Sequence, residues 1–163
     1  MEWSTDQLPV TCGERSQITL FTFFPKNDKI SLLIKSDICD DSVTKEILSF
    51  FGKKVNVVIC DLSPQVTGNW SVDHSTQISS NYAAAKIMDQ VLKKNGNALF
   101  KVFDGEYSNE FYQYVKKKFS KVKLKKPKVS RKQSSELYCI CLGYMSWKMN
   151  NLSLIRVIFN WIL

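Results

Sequence analysis

The sequence has little of what builds a metal centre, a disulfide framework or a membrane span. It contains one histidine and five cysteines in 163 residues, and no two cysteines form a Cys-x-x-Cys pair. A metal site is therefore not expected, and the thiols are expected to be reduced, as in the cytoplasm, the location we predict. No signal peptide is recognisable. The apolar stretch at residues 152–163 is only a dozen residues long and includes Arg156, so no transmembrane segment is expected.

Acidic residues are scarce relative to basic ones. The chain has 23 Lys and Arg against 15 Asp and Glu, a net charge of +8. This balance favours a polyanionic partner, either nucleic acid or an anionic membrane surface, but no amphipathic helix supports the membrane. Residues 116–132 contain no acid at all, and we expect Lys123, Lys125, Lys126 and Arg131 to contact the phosphates of a nucleic acid. The alternative is a solvated helix end and edge strand, which lysines commonly decorate.

The order of apolar patterns predicts the fold class. Hydrophobic residues make up 44% of the chain, enough for the core of one domain. Strand-like runs alternate with segments of helical periodicity, which is typical of an α/β protein with a parallel sheet. Consecutive strands near the end predict one antiparallel addition at an edge. The predicted strands are residues 17–24, 30–38, 55–62, 98–103, 122–124 and 137–142, and the predicted helices are 41–51, 77–94 and 109–119.

Three charged residues fall at one predicted edge of this sheet. Asp61 ends a β-branched strand, Lys101 lies near the end of the next, and Glu136 opens the antiparallel last strand. Ligands of doubly wound sheets bind outside the carboxyl ends of the strands, where these residues can meet. Burying a charged lysine without a partner costs several kcal/mol of folding free energy, so we expect acids close to Lys101. The alternatives are a buried ion network without chemistry, or surface charges that never meet.

Three segments carry a resemblance to a known family. They are CDLSPQVTGNWSVDH at residues 60–74, NGNALFKVFDGE at 95–106 and VKLKKPKVSRKQSSELYCICLGY at 122–144. In this order they resemble the FtsJ/RrmJ group of RNA ribose 2′-O-methyltransferases, nearest the ribosomal RNA enzymes of bacteria and archaea. The resemblance covers residues 30–144. It implies a mostly parallel, Rossmann-like class I methyltransferase sheet with an antiparallel last strand.

The resemblance also implies a function, a cofactor and a partner. It implies methylation of ribose in ribosomal RNA, at a large-subunit uridine, with S-adenosylmethionine as methyl donor and ribosomal RNA or a ribosomal subunit as partner. The family uses a Lys-Asp-Lys-Glu tetrad, whose last three members match Asp61, Lys101 and Glu136. Asp37 matches the acid that contacts the adenine end of the cofactor, and Asp61 also borders the cofactor. Trp70 is open to two interpretations: it stacks on a base, or it packs over its loop.

The sequence departs from the family pattern at both ends. The R-S-R-A-x-x-K-L segment with the first lysine and the Gly-rich D-L-G-x-x-P-G-G-W loop are not found in it. We therefore expect a sheet that is incomplete at its N-terminal end. The predicted division is a divergent segment at 1–29, a methyltransferase-like domain at 30–144 and an apolar tail at 145–163. The tail is expected to pack on apolar surface left by the missing first strand, or to drive self-association.

Two further interpretations remain open at this point. In the first, the chain is a catalytically impaired RNA-binding remnant of such an enzyme, which keeps the basic face but binds the cofactor poorly. In the second, it is a truncated fragment from a frameshifted or misassembled reading frame. The missing glycine loop favours the remnant, a fragment would explain both unusual ends, and the retained Asp61, Lys101 and Glu136 favour the enzyme.

Overall fold

The architecture is an α/β fold built on a seven-stranded sheet. The computed structural model describes residues 17–21, 34–127, 134–145 and 156–160. The strand order is β2-β1-β7-β3-β4-β6-β5. The strands are β1 Gln17–Phe21, β2 Lys35–Asp37, β3 Val55–Asp61, β4 Leu92–Phe103, β5 Phe119–Lys125, β6 Glu136–Tyr144 and β7 Arg156–Asn160; the helices are α1 Asp41–Phe51, α2 Trp70–Val91 and α3 Ser108–Lys116.

The sheet is mixed, and the expected parallel pairing is found around β3, at its centre. Strand β3 runs parallel to β4 and to β7, and β6 is antiparallel to β4 and to β5. Strand β1 is antiparallel to both of its neighbours, so antiparallel pairings are more numerous than expected. The first two predicted strands are observed only in part, because residues 22–24 and 30–33 lie outside the described residues.

Helix α1 has the ends that the sequence predicts. The Asp40 carboxylate accepts a hydrogen bond from the Ser42 N–H at 2.8 Å and caps the first turn. Gly52 ends the helix with φ of +61°, in the left-handed region that glycine enters without steric cost. The buried residues of α1 are Val43, Thr44, Ile47 and Phe51, which lie on one side of the helix.

Helix α2 begins earlier and ends earlier than predicted. Its first residue is Trp70 rather than residue 77, because the Asn69 side chain accepts from the Ser71 N–H at 3.2 Å and caps the helix there. The polar first turns carry no apolar periodicity, which hid them from the sequence analysis. The helix ends at Val91, and β4 follows at once, so the expected extension to residue 94 is wrong.

The last helix is also shorter than predicted. Helix α3 ends at Lys116 rather than at Phe119, and Phe119 instead begins β5 as a buried residue. Strand β6 extends the prediction for residues 137–142 by one residue at its start and two at its end. Its first residue is therefore Glu136, which places that carboxylate on the strand itself.

One face of the sheet carries the core. The buried residues on β3, β4 and β6 alternate along each strand, and they cluster with the buried residues of the three helices. The residues between them, on the opposite face, include the half-buried Val57, Ile59, Leu99 and Ile140. Asp61 and Lys101 belong to this second face, since each follows a core residue on its strand. The core residues of these strands are Val58, Cys60, Ala98, Phe100, Val102, Cys139 and Cys141.

The C-terminal tail supplies an inner strand. Strand β7 pairs in parallel with β3, with Asn160 opposite Asp61, and pairs antiparallel with β1 on its other side. Within the described residues, β7 is the element that joins β1 and β2 to the rest of the sheet. The tail thus joins the sheet of its own chain beside β3, whereas its predicted role in self-association stays a prediction. The predicted division of the chain at residues 30 and 145 stays a prediction.

The described cysteines differ in their oxidation state. Cys60, Cys139 and Cys141 are buried and free, as expected for reduced thiols. Cys39 is disulfide-bonded, so the expectation of reduced thiols throughout the chain is wrong at this residue. Among the described residues, no helix has the length and apolar character needed to cross a membrane.

Candidate catalytic site

Lys101 lies at the centre of a cluster of charges at the carboxyl ends of β3 and β4. Its side-chain nitrogen Nζ is 2.8 Å from Asp61 Oδ1 and 3.9 Å from Glu136 Oε1. The lysine residue is 8% exposed, whereas the side chains of Asp61 and Glu136 are 38% and 40% exposed. The three residues that the sequence analysis singled out are thus brought together. The charge of the buried lysine is compensated by acids that still face solvent.

Strand pairing explains why these residues meet. Cys60 is level with Phe100 across the parallel pair, so Asp61 and Lys101, one residue further on, share the opposite face. Glu136 pairs with Phe103, which lies two residues beyond Lys101 and therefore on the same face. Three separate elements deliver one lysine and two acids to one edge because β6 enters the sheet in the antiparallel sense.

Two side chains of α2 fix the backbone beneath the cluster. Gln77 Nε2 and Asn81 Nδ2 donate hydrogen bonds to the Lys101 carbonyl oxygen at 2.6 and 2.8 Å. Gln77 Oε1 also accepts from the Phe103 N–H at 3.2 Å. Both side chains are fully buried, so these bonds occupy polar atoms that burial would otherwise leave unsatisfied. The sequence analysis missed them, although two amides four residues apart on the buried side of a helix were a usable signal.

Tyr138 is a further member of the cluster that the sequence analysis left out. It pairs directly with Lys101 across β4 and β6, so its ring lies on the same face. Burial raises the pKa of its phenol, as do the charges of Asp61 and Glu136, while Lys101 acts in the opposite direction. The hydroxyl is therefore held protonated and can donate a hydrogen bond at this site. The sequence signal that could have identified Tyr138 is the E-x-Y pattern that begins at Glu136.

The basic strand β5 continues the same face. Lys125 pairs with Tyr138, which pairs with Lys101, so the three side chains form a row across the sheet. At the usual strand spacing, Lys125 and Lys101 have backbones about 10 Å apart. Lys123 is on the same face as Lys125, and Lys123, Lys125 and Lys126 are exposed. Arg131, the fourth residue predicted to contact RNA, lies outside the described residues.

Asp37 stands apart from the cluster but on the same edge. It ends β2, which is separated from β3 by β1 and β7. It is exposed, and its Oδ1 accepts a hydrogen bond from the Cys39 N–H at 2.9 Å. Asp37 thus lies on the outermost strand of this edge and Asp61 near its middle, with two strands between them. Carboxylates at these two places can accept hydrogen bonds from the amino groups of a bound cofactor.

A stack of aromatic rings borders the cluster. The ring centroids of Trp70 and Phe103 are 5.7 Å apart, those of Trp70 and His74 are 6.0 Å apart, and those of His74 and Tyr107 are 5.8 Å apart. His74 Nε2 accepts a hydrogen bond from the Tyr107 N–H at 3.0 Å, so the neutral ring carries its proton on Nδ1. Burial lowers the pKa of His74, against the opposing charges of Glu106 and Asp104. His74 is therefore a structural residue here.

Comparison with solved structures shows the fold. A Plasmodium falciparum protein described as a ribosomal RNA methyltransferase superposes with a TM-score of 0.61, over 70% of this chain and 64% of that chain. The two sequences are 23% identical, so this likeness concerns the fold alone. It places the mixed sheet described above among methyltransferase-type α/β folds. In the described part of the chain, no three His, Cys, Asp or Glu residues are grouped so as to hold a metal.

Comparison with protein families identifies the chain more closely. The FtsJ-like methyltransferase model matches residues 15–144, and the chain belongs to this family. It is 62% identical over 113 residues to the ribosomal RNA large subunit methyltransferase E of Nitrosopumilus maritimus, and this match covers 69% of the chain and 57% of the relative. For the Cenarchaeum symbiosum protein of the same name, the identity is 57% over 111 residues, 68% of the chain and 56% of that relative.

The extent of these matches varies with the relative. The chain spans a little over half the length of the two archaeal proteins. The protein of the same name from Ehrlichia ruminantium is 42% identical over 109 residues, which are 66% of this chain and 84% of that relative. These matches establish the family of the chain. The activity of the full-length relatives is a separate question, because the chain spans only part of the archaeal ones.

Proposed function

We propose that the chain transfers a methyl group from S-adenosylmethionine to the 2′-hydroxyl of a ribose in large-subunit ribosomal RNA, at a uridine. The observation that carries this proposal is the position of Lys101, 2.8 Å from Asp61 and 3.9 Å from Glu136, at the carboxyl edge of a methyltransferase-type sheet. A lysine with a purely structural role could lie anywhere in the sheet, whereas Lys101 lies at the edge where ligands of such sheets bind. The names of the curated relatives support the choice of substrate.

The cluster suits activation of a ribose hydroxyl. A hydroxyl is a poor nucleophile until its proton is removed or its oxygen is aligned for in-line attack. In this proposal the Lys101 ammonium group, held by Asp61 and Glu136, aligns the hydroxyl oxygen for in-line attack, and the hydroxyl proton passes through the half-exposed carboxylate of Glu136 to solvent. Tyr138 donates a hydrogen bond that orients the ribose. Gln77 and Asn81 act through the backbone of β4, as positioning residues, because orientation supplies much of the rate in such a step.

The cofactor would be held at the two acids of the edge. Asp37 would accept from the adenine amino group, and Asp61 would face the positive end of the cofactor. When bound, S-adenosylmethionine supplies an electrophilic methyl group. The residues that this chain contributes are acceptors, and the glycine-rich loop typical of the family is not found in its sequence. We therefore propose weak binding of the cofactor.

The RNA would lie across the face that carries Lys101. Lys123, Lys125, Lys126 and Arg131 are the proposed phosphate contacts, and the row from Lys125 through Tyr138 to Lys101 connects them to the cluster. Such contacts give binding that depends on salt and only weakly on sequence. Ribosomal RNA or a ribosomal subunit in the cytoplasm is the proposed partner. The three free buried thiols favour a reducing compartment, whereas the disulfide at Cys39 does not.

The proposed function is tested by methyl transfer itself. The chain is incubated with large-subunit ribosomal RNA that lacks this modification and with methyl-labelled S-adenosylmethionine at high concentration. The RNA is then digested to nucleosides and separated. Label in a 2′-O-methylated uridine supports the proposal. Label only in the bases, or none above a blank, contradicts it.

A second candidate function is RNA binding without catalysis. The observation in its favour is the missing glycine-rich loop, since three charged residues alone do not hold a cofactor. Calorimetric titration with S-adenosylmethionine separates the two candidates. Weak but saturable binding supports the enzyme, and no heat of binding in a chain that still binds RNA supports the second candidate. Micromolar or tighter affinity would show that another segment replaces the loop.

A further inference from the structure

The side chain of Trp70 borders the candidate site without a part in the chemistry proposed there. It is 49% exposed, although it stacks on Phe103 and on His74 with interplanar angles of 26° and 20°. A tryptophan needed only for packing would bury more of its ring. Tyr107, at the far side of His74, is 37% exposed and lies nearly parallel to the His74 ring. The exposed indole is thus backed by other rings.

The position of Phe103 ties this ring to Lys101. Phe103 follows Lys101 by two residues on β4, so the two side chains leave the same face with backbones about 7 Å apart. Phe103 also pairs with Glu136, one of the two acids around the lysine. Trp70, which contacts Phe103, therefore lies just beyond the cluster at the same edge.

The support beneath Trp70 is held firmly. His74 is 3% exposed, and a Cβ atom added at Gly105 would lie 2.8 Å from its ring, so only glycine fits there. The loop before Trp70 is fixed by Asp73, whose Oδ1 accepts from the Thr67 N–H at 2.8 Å and from the Thr67 hydroxyl at 2.7 Å. A ring held in this way loses little conformational entropy when a flat ligand stacks on it.

The charges near Trp70 indicate which part of an RNA can lie there. Asp104 and Glu106 are exposed and close enough to act on His74. Phosphates would be repelled from these carboxylates, whereas an uncharged base would not. The exposed Lys123 and Lys125 lie on β5, two strands from β4, on the face that carries Lys101. A strand of RNA crossing the site would thus have its backbone toward β5 and a base toward Trp70.

We propose that Trp70 stacks on one base of the bound RNA, next to the ribose held at Lys101. This inference rests on the proposed function, because it takes RNA as the ligand of that site. Aromatic side chains stack on bases of any sequence, so the contact fixes the position of the strand rather than its sequence. Trp70 is a positioning residue that sets which ribose reaches Lys101.

The test measures binding of a single-stranded RNA of about 12 nucleotides by fluorescence anisotropy, without cofactor. Trp70→Ala is expected to weaken binding by about fivefold to a hundredfold, the effect of losing one stacked base, and Trp70→Phe by less. The matched control is Val72→Ala, which trims an equally exposed neighbour without a ring and should leave affinity within about twofold. If folded Trp70→Ala binds the RNA with unchanged affinity, the inference is overturned. A surface that binds a protein instead of RNA would give this result.

A second measurement uses the unaltered chain, because Trp70→Ala also removes contacts within the fold. Oligonucleotides carrying 5-bromouracil at successive positions are crosslinked by light, and the crosslinked peptide is identified. A crosslink to Trp70 from one position supports the inference, and crosslinks elsewhere alone overturn it. RNA bound through Trp70 without any methyl transfer would refute the proposed enzyme but keep this contact. Methyl transfer that is unchanged by Trp70→Ala would support the proposed enzyme and refute this contact.

Discussion

Lys101 and Asp61 form an ion pair of 2.8 Å in which the lysine is buried and the acid is half-exposed. Removing the acid alone would leave a buried charge without its nearest partner. Loss of a partner costs about 3–5 kcal/mol in buried pairs and about 0–1 kcal/mol in exposed ones. Because Asp61 is partly solvated and Glu136 remains, we expect Asp61→Asn to lower the free energy of unfolding by about 1–3 kcal/mol.

The matched variant for this prediction removes the buried charge instead of its partner. Lys101→Met keeps much of the packing of the stem, so its unfolding free energy should stay within about 1 kcal/mol of the wild type. The double variant should be no less stable than Asp61→Asn, because the uncompensated charge is gone. Urea denaturation of the four proteins measures these differences. Equal losses for both single variants would show that the pair contributes packing only.

A second prediction concerns acid. Burial lowers the pKa of His74 below its usual 6.5, so the unfolded chain binds more protons than the folded chain as the pH falls below about 6.5. The contribution of His74 to stability is therefore full above that pH and is lost as the pH falls through the folded pKa. His74→Gln keeps an acceptor for the Tyr107 N–H but does not titrate. Between about pH 7.5 and pH 5, the wild type should lose more stability than this variant; parallel curves would contradict the prediction.

A third prediction concerns salt. Changing Lys123, Lys125 and Lys126 together to Gln should weaken RNA binding and reduce the slope of log affinity against log salt by about 2, since each phosphate contact on a single strand contributes about 0.7. Anisotropy titrations over a series of salt concentrations measure the slope. An unchanged slope would remove these lysines from the RNA-binding surface.

The matched control changes the same number of lysines elsewhere. Lys45, Lys53 and Lys86 are exposed on or near α1 and α2, away from the row that leads to Lys101. Their replacement by Gln removes equal charge and should lower the slope by much less. Similar effects of the two triple variants would indicate attraction by the net charge alone.

A fourth prediction concerns the tail. Deleting residues 147–163 removes β7, which leaves β3 with an open edge and separates β1 and β2 from the rest of the sheet. We expect a clear loss of stability in urea and a tendency to aggregate through the open edge. If the tail instead drives self-association, sedimentation should show an oligomer of the full chain that deletion converts to a monomer. A monomeric product of unchanged stability would contradict both versions.

Particular residues show how far the sequence could be interpreted. Asp61, Lys101 and Glu136 were found because each falls at the start or near the end of a strand-like run, and the resemblance to the FtsJ/RrmJ group then implied a role for them. The first turns of α2 were missed because their polar residues give no periodicity, although Asn69 caps them. Tyr138 was missed because its role depends on register, which pairs it with Lys101.

The tail was the hardest part to foresee. Its apolar residues predicted a packed or associating segment, but no local pattern states which strand it joins. Its place beside β3 depends on which edge of that strand the rest of the chain leaves open, a property of the whole sheet. The supporting bonds of Gln77 and Asn81 are also long-range, since their partner Lys101 lies 24 and 20 residues further along the chain.

The most direct test of the account is methyl transfer by Lys101→Met. The assay is the one proposed for the wild type, with labelled S-adenosylmethionine at high concentration and analysis of the 2′-O-methylated nucleosides. Lys86→Met, on the exposed side of α2, is the matched control. The account predicts that the control transfers label like the wild type, and that Lys101→Met falls to background while it still folds and binds RNA. Transfer by Lys101→Met at the rate of the wild type would contradict it.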